Sequence, residues 1–349
     1  MFSGRPLAAL WSSRPVRATL ALLVAVGAAR LPVGHAAWVA NAVAVITRFA
    51  AAPDWVAPMV ESTAIAKATG YLMGSIRQGG TYYVYARVSD SGNPPSGVAV
   101  ETAEVTAITP SGTGVNLVSG SYSAGGATYT HRSALLTAAT PLAAGNRTYS
   151  TTSRDAAGNL RTQMGHSVTV DNTPPVAAAI QTANMAGGVS GRAESGDTVT
   201  FTYSEPIDPY SILAGWNGLA TNVVVRLIDG GCTLSLLSLL CNDDSVRIYN
   251  AVNASQLPLG SVNLNRGDYH GTTLGTASAL SFGAGGTPST MVASGSAITV
   301  ILGTASGSAD TAAGAGAMVW APSTSAYDGA GNTVASMTIT EAGTSDKDF

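Results

Sequence analysis

Charge is scarce in this chain: Asp, Glu, Lys and Arg make up only 11% of it, and 17 basic against 20 acidic side chains leave a net charge of −3. The second half carries no Lys/Arg cluster. Nucleic acid and anionic lipid are held by basic stripes, so neither is an expected partner. Histidine is also sparse, with His131, His166 and His270 the three beyond residue 37. There is no H-E-x-x-H, no G-x-S-x-G and no Cys beside a His, so zinc hydrolases and Ser or Cys nucleophiles lack a signature. Gly-rich stretches such as Gly283–Gly286 have neither the Lys-Ser/Thr nor the helix that a phosphate cradle needs. The chain is expected not to be an enzyme, and no cofactor is required.

Long apolar runs are confined to the N-terminus. Arg5, Arg14 and Arg17 precede an apolar run from Ala18 to Ala29, followed by the small residues Gly34, Ala36 and Ala37. That is the layout of a secretory signal peptide, and the run falls short of the ~20 residues that cross a bilayer. Residues 1–37 are therefore expected to be a signal peptide cleaved near Ala36 or Ala37, residues 38–53 a linker, and the product secreted to the cell exterior or envelope. Membrane attachment would require an uncleaved segment prolonged through Ala37–Ile46. After Thr340 only the short charged stretch Glu341–Phe349 follows, so retention at a surface is expected to be non-covalent.

Cysteine occurs twice, at Cys232 and Cys241, between the strand-like segments Asn222–Ile228 and Ser245–Tyr249. Export favours a disulfide closing a hairpin tip. Two thiols without a nearby His are too few for zinc.

What the chain has in plenty is Gly, with 40 residues, together with short alternating segments of Val, Thr, Ser and Tyr. Length suits two cores, and the alternation is that of a β-sandwich. In Thr81–Val88, Tyr82, Val84, Ala86 and Val88 share one face. Six more strands are expected in the first half: Met59–Ala66, Val98–Ile108, Gly114–Ser119, Ala127–Ala138, Arg147–Ser153 and Ser167–Asp171. Asp171-Asn172-Thr173-Pro174-Pro175 then stops strand pairing. Two domains are predicted, at 54–172 and 173–349, the second expanded by an irregular Gly-rich stretch over Asn263–Thr290. Each opens with an Asp closely followed by Pro, and each closes on a similar turn, Asp155-Ala156-Ala157-Gly158-Asn159 and Asp328-Gly329-Ala330-Gly331-Asn332.

At these residues the chain resembles the bacterial immunoglobulin-like domains of exported surface proteins. Ser153–Asn159 followed by Val168–Pro175 looks like the closing strand pair and linker of such arrays. Gly196–Pro209, with Phe201-Thr202-Tyr203-Ser204-Glu205-Pro206-Ile207-Asp208, is similar to the surface-layer type, with Ile207 where Met is usual. The low charge and Ala/Gly bias also resemble secreted actinobacterial proteins of unassigned function. The resemblance implies an all-β fold of two tandem immunoglobulin-like sandwiches and a structural or adhesive role in the envelope, with a surface protein or polysaccharide as partner. The alternative is a module that binds glycans or cell-wall polymer.

Topology suggests a metal. In such a domain the chain start, an early loop and the last hairpin lie at one end. That gathers Asp54, Asp90 and Asp155 in the first domain, and Asp171 with Asn172, Glu205 with Asp208, and Asp328 in the second. Converging carboxylates suit calcium, which takes 6–8 oxygens; the same residues also serve turns by capping their own amides. Trp216, with the tyrosines of Thr81–Val88, is open to two readings, a sugar-stacking platform or core packing.

Overall fold

A computed structural model describes residues 54–235, 238–271, 278–343 and 345–349. The expected signal peptide and linker lie outside these residues. The described chain is nearly all β and sandwich-like, and its strands fall into two groups.

The first group comprises β1 (Met59–Lys67), β2 (Ser75–Ile76), β3 (Thr81–Ser89), β4 (Val98–Glu104), β5 (Val115–Ala124), β6 (Ala127–Ser133), β7 (Leu136–Thr137), β8 (Gly145–Asp155) and β9 (Leu160–Val170). They are ordered β1-β3-β6-β5-β4-β8-β9-β2, with β7 also on β3. Every pairing is antiparallel except β2 with β9. The alternation in Thr81–Val88 holds: Tyr82, Val84, Ala86 and Val88 are buried, and they pack with Ile65, Val105, Ile108, Leu117, Tyr149 and Val168. Four expected strands need correction. Gly114–Ser119 runs on to Ala124, because β5 continues to pair with β6 through Ala124. Val98–Ile108 stops at Glu104, because Val105 and Ile108 are buried within a hydrogen-bonded turn rather than by continued pairing. Ala127–Ala138 is broken after Ser133 into β6 and β7. The last strand starts at Leu160, seven residues before the expected Ser167.

The second group comprises β10 (Ala177–Ala183), β11 (Thr198–Tyr203), the single turn α1 (Pro209–Ile212), β12 (Thr221–Ile228), β13 (Cys232–Ser235), β14 (Ser238–Cys241), β15 (Ser245–Asn250), β16 (Ser261–Asn263), β17 (Ala279–Phe282), β18 (Ser289–Ser294), β19 (Ala297–Ile301), β20 (Val319–Ala321) and β21 (Ile339–Thr340). The main sheet runs β10-β11-β19-β18-β12-β15-β16-β20-β21, with β17 on β12. The stretch expected to be irregular thus contains a strand, because Leu280 and Phe282 are buried while β17 pairs with β12. Trp320 is the centre of this core. It meets Phe201 and Tyr203 edge-on at 5.3 and 4.9 Å and donates its indole N–H to the Leu259 carbonyl at 2.7 Å. The β13–β14 hairpin sets Cys232 opposite Cys241, and the two form a disulfide. No helix among the described residues is long and apolar enough to cross a membrane.

Where the strand groups meet, Lys67 at the end of β1 forms a buried ion pair with Asp208. The ammonium also donates to the carbonyl of Gly329 at 2.9 Å. The Asp208 carboxylate accepts amides of Tyr71 and Leu72 from the first group at 3.0 and 3.1 Å, and caps α1 through the Tyr210 amide at 3.0 Å.

Candidate functional site

The recurring Asp-x-x-Gly-Asn turn builds the same structure twice. In both copies the Gly has φ +96°, a left-handed conformation open to Gly and costly for other residues. Asp155 N–H bonds Asn159 C=O at 3.2 Å, and Asp328 N–H bonds Asn332 C=O at 3.0 Å. Each Asn then reaches to the residue that opens its half. Asn159 Nδ2 donates to the Asp54 carbonyl at 3.2 Å and to Asp155 Oδ2 at 2.6 Å. Asn332 Nδ2 donates to the Asp171 carbonyl at 3.0 Å and to Asp328 Oδ2 at 2.8 Å. The last hairpin of each half is thereby pinned to its first residue.

This pinning gathers carboxylates. Asp54, Asp90 and Asp155 place oxygens within 4.8 Å of one another, and so do Asp171, Glu205 and Asp328. In the first cluster Asp54 and Asp155 are buried, at 6% and 2% exposure. Asp54 accepts the amides of Val56 and Ser96, both at 2.9 Å, and these hold its carboxyl below the ordinary range. Asp90 accepts Gly92 and Gly97 amides at 3.2 and 2.6 Å. A side chain at Gly92 would collide with the Asp54 carboxylate, so the loop closes over the cluster only with Gly there. Burial opposes ionisation of Asp155, but bonds from Asn159 and Gly158 outweigh it and hold its carboxyl low.

The second cluster differs in Glu205. Partial burial, then the neighbouring carboxylates of Asp328 and Asp171, push it up to about 7. Of the four ion pairs among the described residues, none includes a member of either cluster. Each cluster offers three carboxylates to a hard cation, a donor set suited to calcium.

Two expected ligands stand apart. Asp208 belongs to neither cluster, because Lys67 and three amides occupy its carboxylate. Asn172 instead bonds two loops of the first group, accepting from the Gln78 amide and donating to the Leu142 carbonyl, both at 2.8 Å. Of the two readings of Trp216, core packing holds: it is 5% exposed within the second core, and its indole donates to the Leu219 carbonyl at 2.5 Å, so no ring face is open to a sugar. Tyr85 is buried against Tyr129 and Tyr82 lies in the first core, which removes them from a stacking platform too.

The sequence did not reveal a third cluster, Glu341, Asp346 and Asp348. Asp348 is fully buried, accepts from Thr182 Oγ1 and Tyr269 OH at 3.3 Å each, and is pushed up to about 7, chiefly by burial and next by Glu341. Its only sequence signal was the charged end after Thr340. Each described His meets a hydroxyl, His131 that of Thr130 at 3.0 Å, His166 that of Thr151 at 3.3 Å, and His270 Nε2 that of Ser278, the one serine among them, at 3.1 Å. Among the described residues His270 Nδ1 has no hydrogen-bonded carboxylate to orient it, as a Ser–His catalytic pair requires. No protein-family model and no curated protein matches the chain.

Proposed function

We propose that this protein is a non-enzymatic, secreted or cell-surface structural and adhesive protein, built from two tandem immunoglobulin-like sandwiches whose starting ends bind calcium. The observation that carries the reading is the duplicated turn. Two segments with little other sequence in common use the same Asp and Asn to pin the last hairpin to the first residue, and each gathers three carboxylates there. Repetition of an end structure is what tandem modules of one architecture produce. An ion at each start would neutralise the clustered charge and stiffen the chain leading into each module, a property useful in a spacer that holds loops away from a surface. A disulfide that links β13 to β14 is compatible with an oxidising exterior.

The reading is tested by probing medium, wall and membrane fractions for the chain, and by calorimetry of the purified protein in calcium and in chelator. Export together with melting raised by calcium is the expected result. Retention in the cytoplasm, or melting indifferent to calcium, counts against it.

A further inference from the structure

An unpaired cation lies in the second strand group, far in sequence from either cluster. Val246 and Ile248 of β15 face the core, which turns Arg247 to the outer face. There Arg226 of β12 is its cross-strand partner. Like charges placed directly opposite one another are unfavourable, and the two arginines are treated differently. Arg226 donates to Asn253 Oδ1 and O at 2.8 and 2.7 Å and stacks 3.9 Å over the Tyr249 ring. The Arg247 side chain has no ion pair or hydrogen bond among the described residues, and its Nε is shut away from solvent without an acceptor. The two Nη groups keep solvent access and have no protein acceptor, so they, rather than the buried Nε, are the donors that an oxygen from outside the protein can reach.

Arg247 lines a cleft of about 440 Å³ under the loop between β15 and β16. Its other walls include Ser261, Ser323, Ser325, Gln256 and Pro258. Gln256 Nε2 is committed to the Gly260 carbonyl at 2.9 Å, leaving its oxygen as an acceptor for a hydroxyl. The larger cleft of about 520 Å³ beside α1 has no charged wall residue and makes no comparable demand.

We propose that the Arg247 cleft binds an oxyanion carried on a polyhydroxylated chain, as in an acidic saccharide or a polyol phosphate. The paired Nη groups of a guanidinium match two oxygens of a carboxylate or phosphate, while the serines and Gln256 suit the ligand's hydroxyls. The inference arrives at polymer binding by a route independent of Trp216, and it stands whether or not calcium binds at the clusters.

The test is titration calorimetry on the full secreted chain in calcium-free buffer, with sodium glucuronate, glycerol phosphate, inorganic phosphate and glucose as probes. Glucuronate or glycerol phosphate should bind and glucose should not; whichever of the two binds more tightly identifies the anion. Arg247→Gln should weaken binding roughly ten- to a hundredfold, the size expected from losing a charged hydrogen bond. Arg87→Gln, in an exposed pair of the first strand group, should leave it unchanged. Should Arg247→Gln fail to fold, Ser323→Ala combined with Ser325→Ala is expected to weaken the saccharide while sparing inorganic phosphate. Equal binding by Arg247→Gln and the unaltered protein overturns the proposal, as does inorganic phosphate binding as tightly as the hydroxylated probes.

Discussion

Breaking the Lys67–Asp208 pair should separate the two strand groups, and the partners should not be equivalent. Both side chains are buried, Asp208 completely, and burial pulls the Lys67 ammonium below its ordinary range despite the attraction of Asp208. Removing one member of such a pair usually costs about 3–5 kcal/mol, because the other stays buried and uncompensated. Asp208→Ala leaves Lys67 with two carbonyls, Gly329 at 2.9 Å and Leu72 at 3.5 Å, and strips three amides of their acceptor. It also removes the cap of α1, worth about 1 kcal/mol, which places its cost at about 5 kcal/mol. Lys67→Met fills the space with an apolar chain and leaves Asp208 three amide donors, so its cost should lie near 3 kcal/mol. Urea unfolding followed by near-ultraviolet circular dichroism should show the larger midpoint shift for Asp208→Ala, with one transition resolving into two as the groups uncouple. Losses under about 1 kcal/mol for both variants, or a larger loss for Lys67→Met, would refute this account of the joint.

Further outcomes follow from other buried groups. Glu101 is 1% exposed, accepts from Ser153 through Oε2, has no partner for Oε1, and is pushed by burial from 4.5 to about 7. Between those values the folded protein keeps a proton that the unfolded chain has lost, so stability falls as pH rises through the window. Glu101→Gln should therefore stabilise the protein at pH 8, by up to about 3 kcal/mol, and by much less at pH 5, as read from urea midpoints. Trp216→Ala should cost about 3–5 kcal/mol of stability through its cavity, measured by the same method, without altering saccharide binding. Reducing the disulfide, or Cys232→Ser with Cys241→Ser, should cost roughly 2–3 kcal/mol, because the closed loop is short.

The legible parts of the fold were those set by local chemistry. Alternation in Thr81–Val88 marked its buried face, and the Gly of the repeated turn sits at the one position there that takes a positive φ. Because the two turns echoed each other, the six clustered carboxylates could be assembled from topology alone. What escaped was decided across the chain. Leu160–His166 buries no side chain fully, so pairing with β8, rather than burial, makes it a strand. Asp208 lies close to Glu205 in one short acidic motif, yet a lysine 141 residues earlier takes its carboxylate. Asp348 sits in a charged terminal stretch that gave no hint of folding back onto Thr182 and Tyr269. Arg247 occupies an ordinary alternating strand, and only the folded arrangement around it leaves its Nε without an acceptor.

The central claim, one calcium ion at the start of each module, is tested most directly by calcium titration calorimetry on the purified chain at pH 8. Asp90→Asn and Glu205→Gln are the informative variants, since neither residue belongs to the Asp-Asn turn pins. The account predicts two sites, one lost in each variant, and a second-cluster affinity that alone weakens on going to pH 6, because protonated Glu205 competes with the ion. No heat of binding, or a stoichiometry of two retained in both variants, would contradict it.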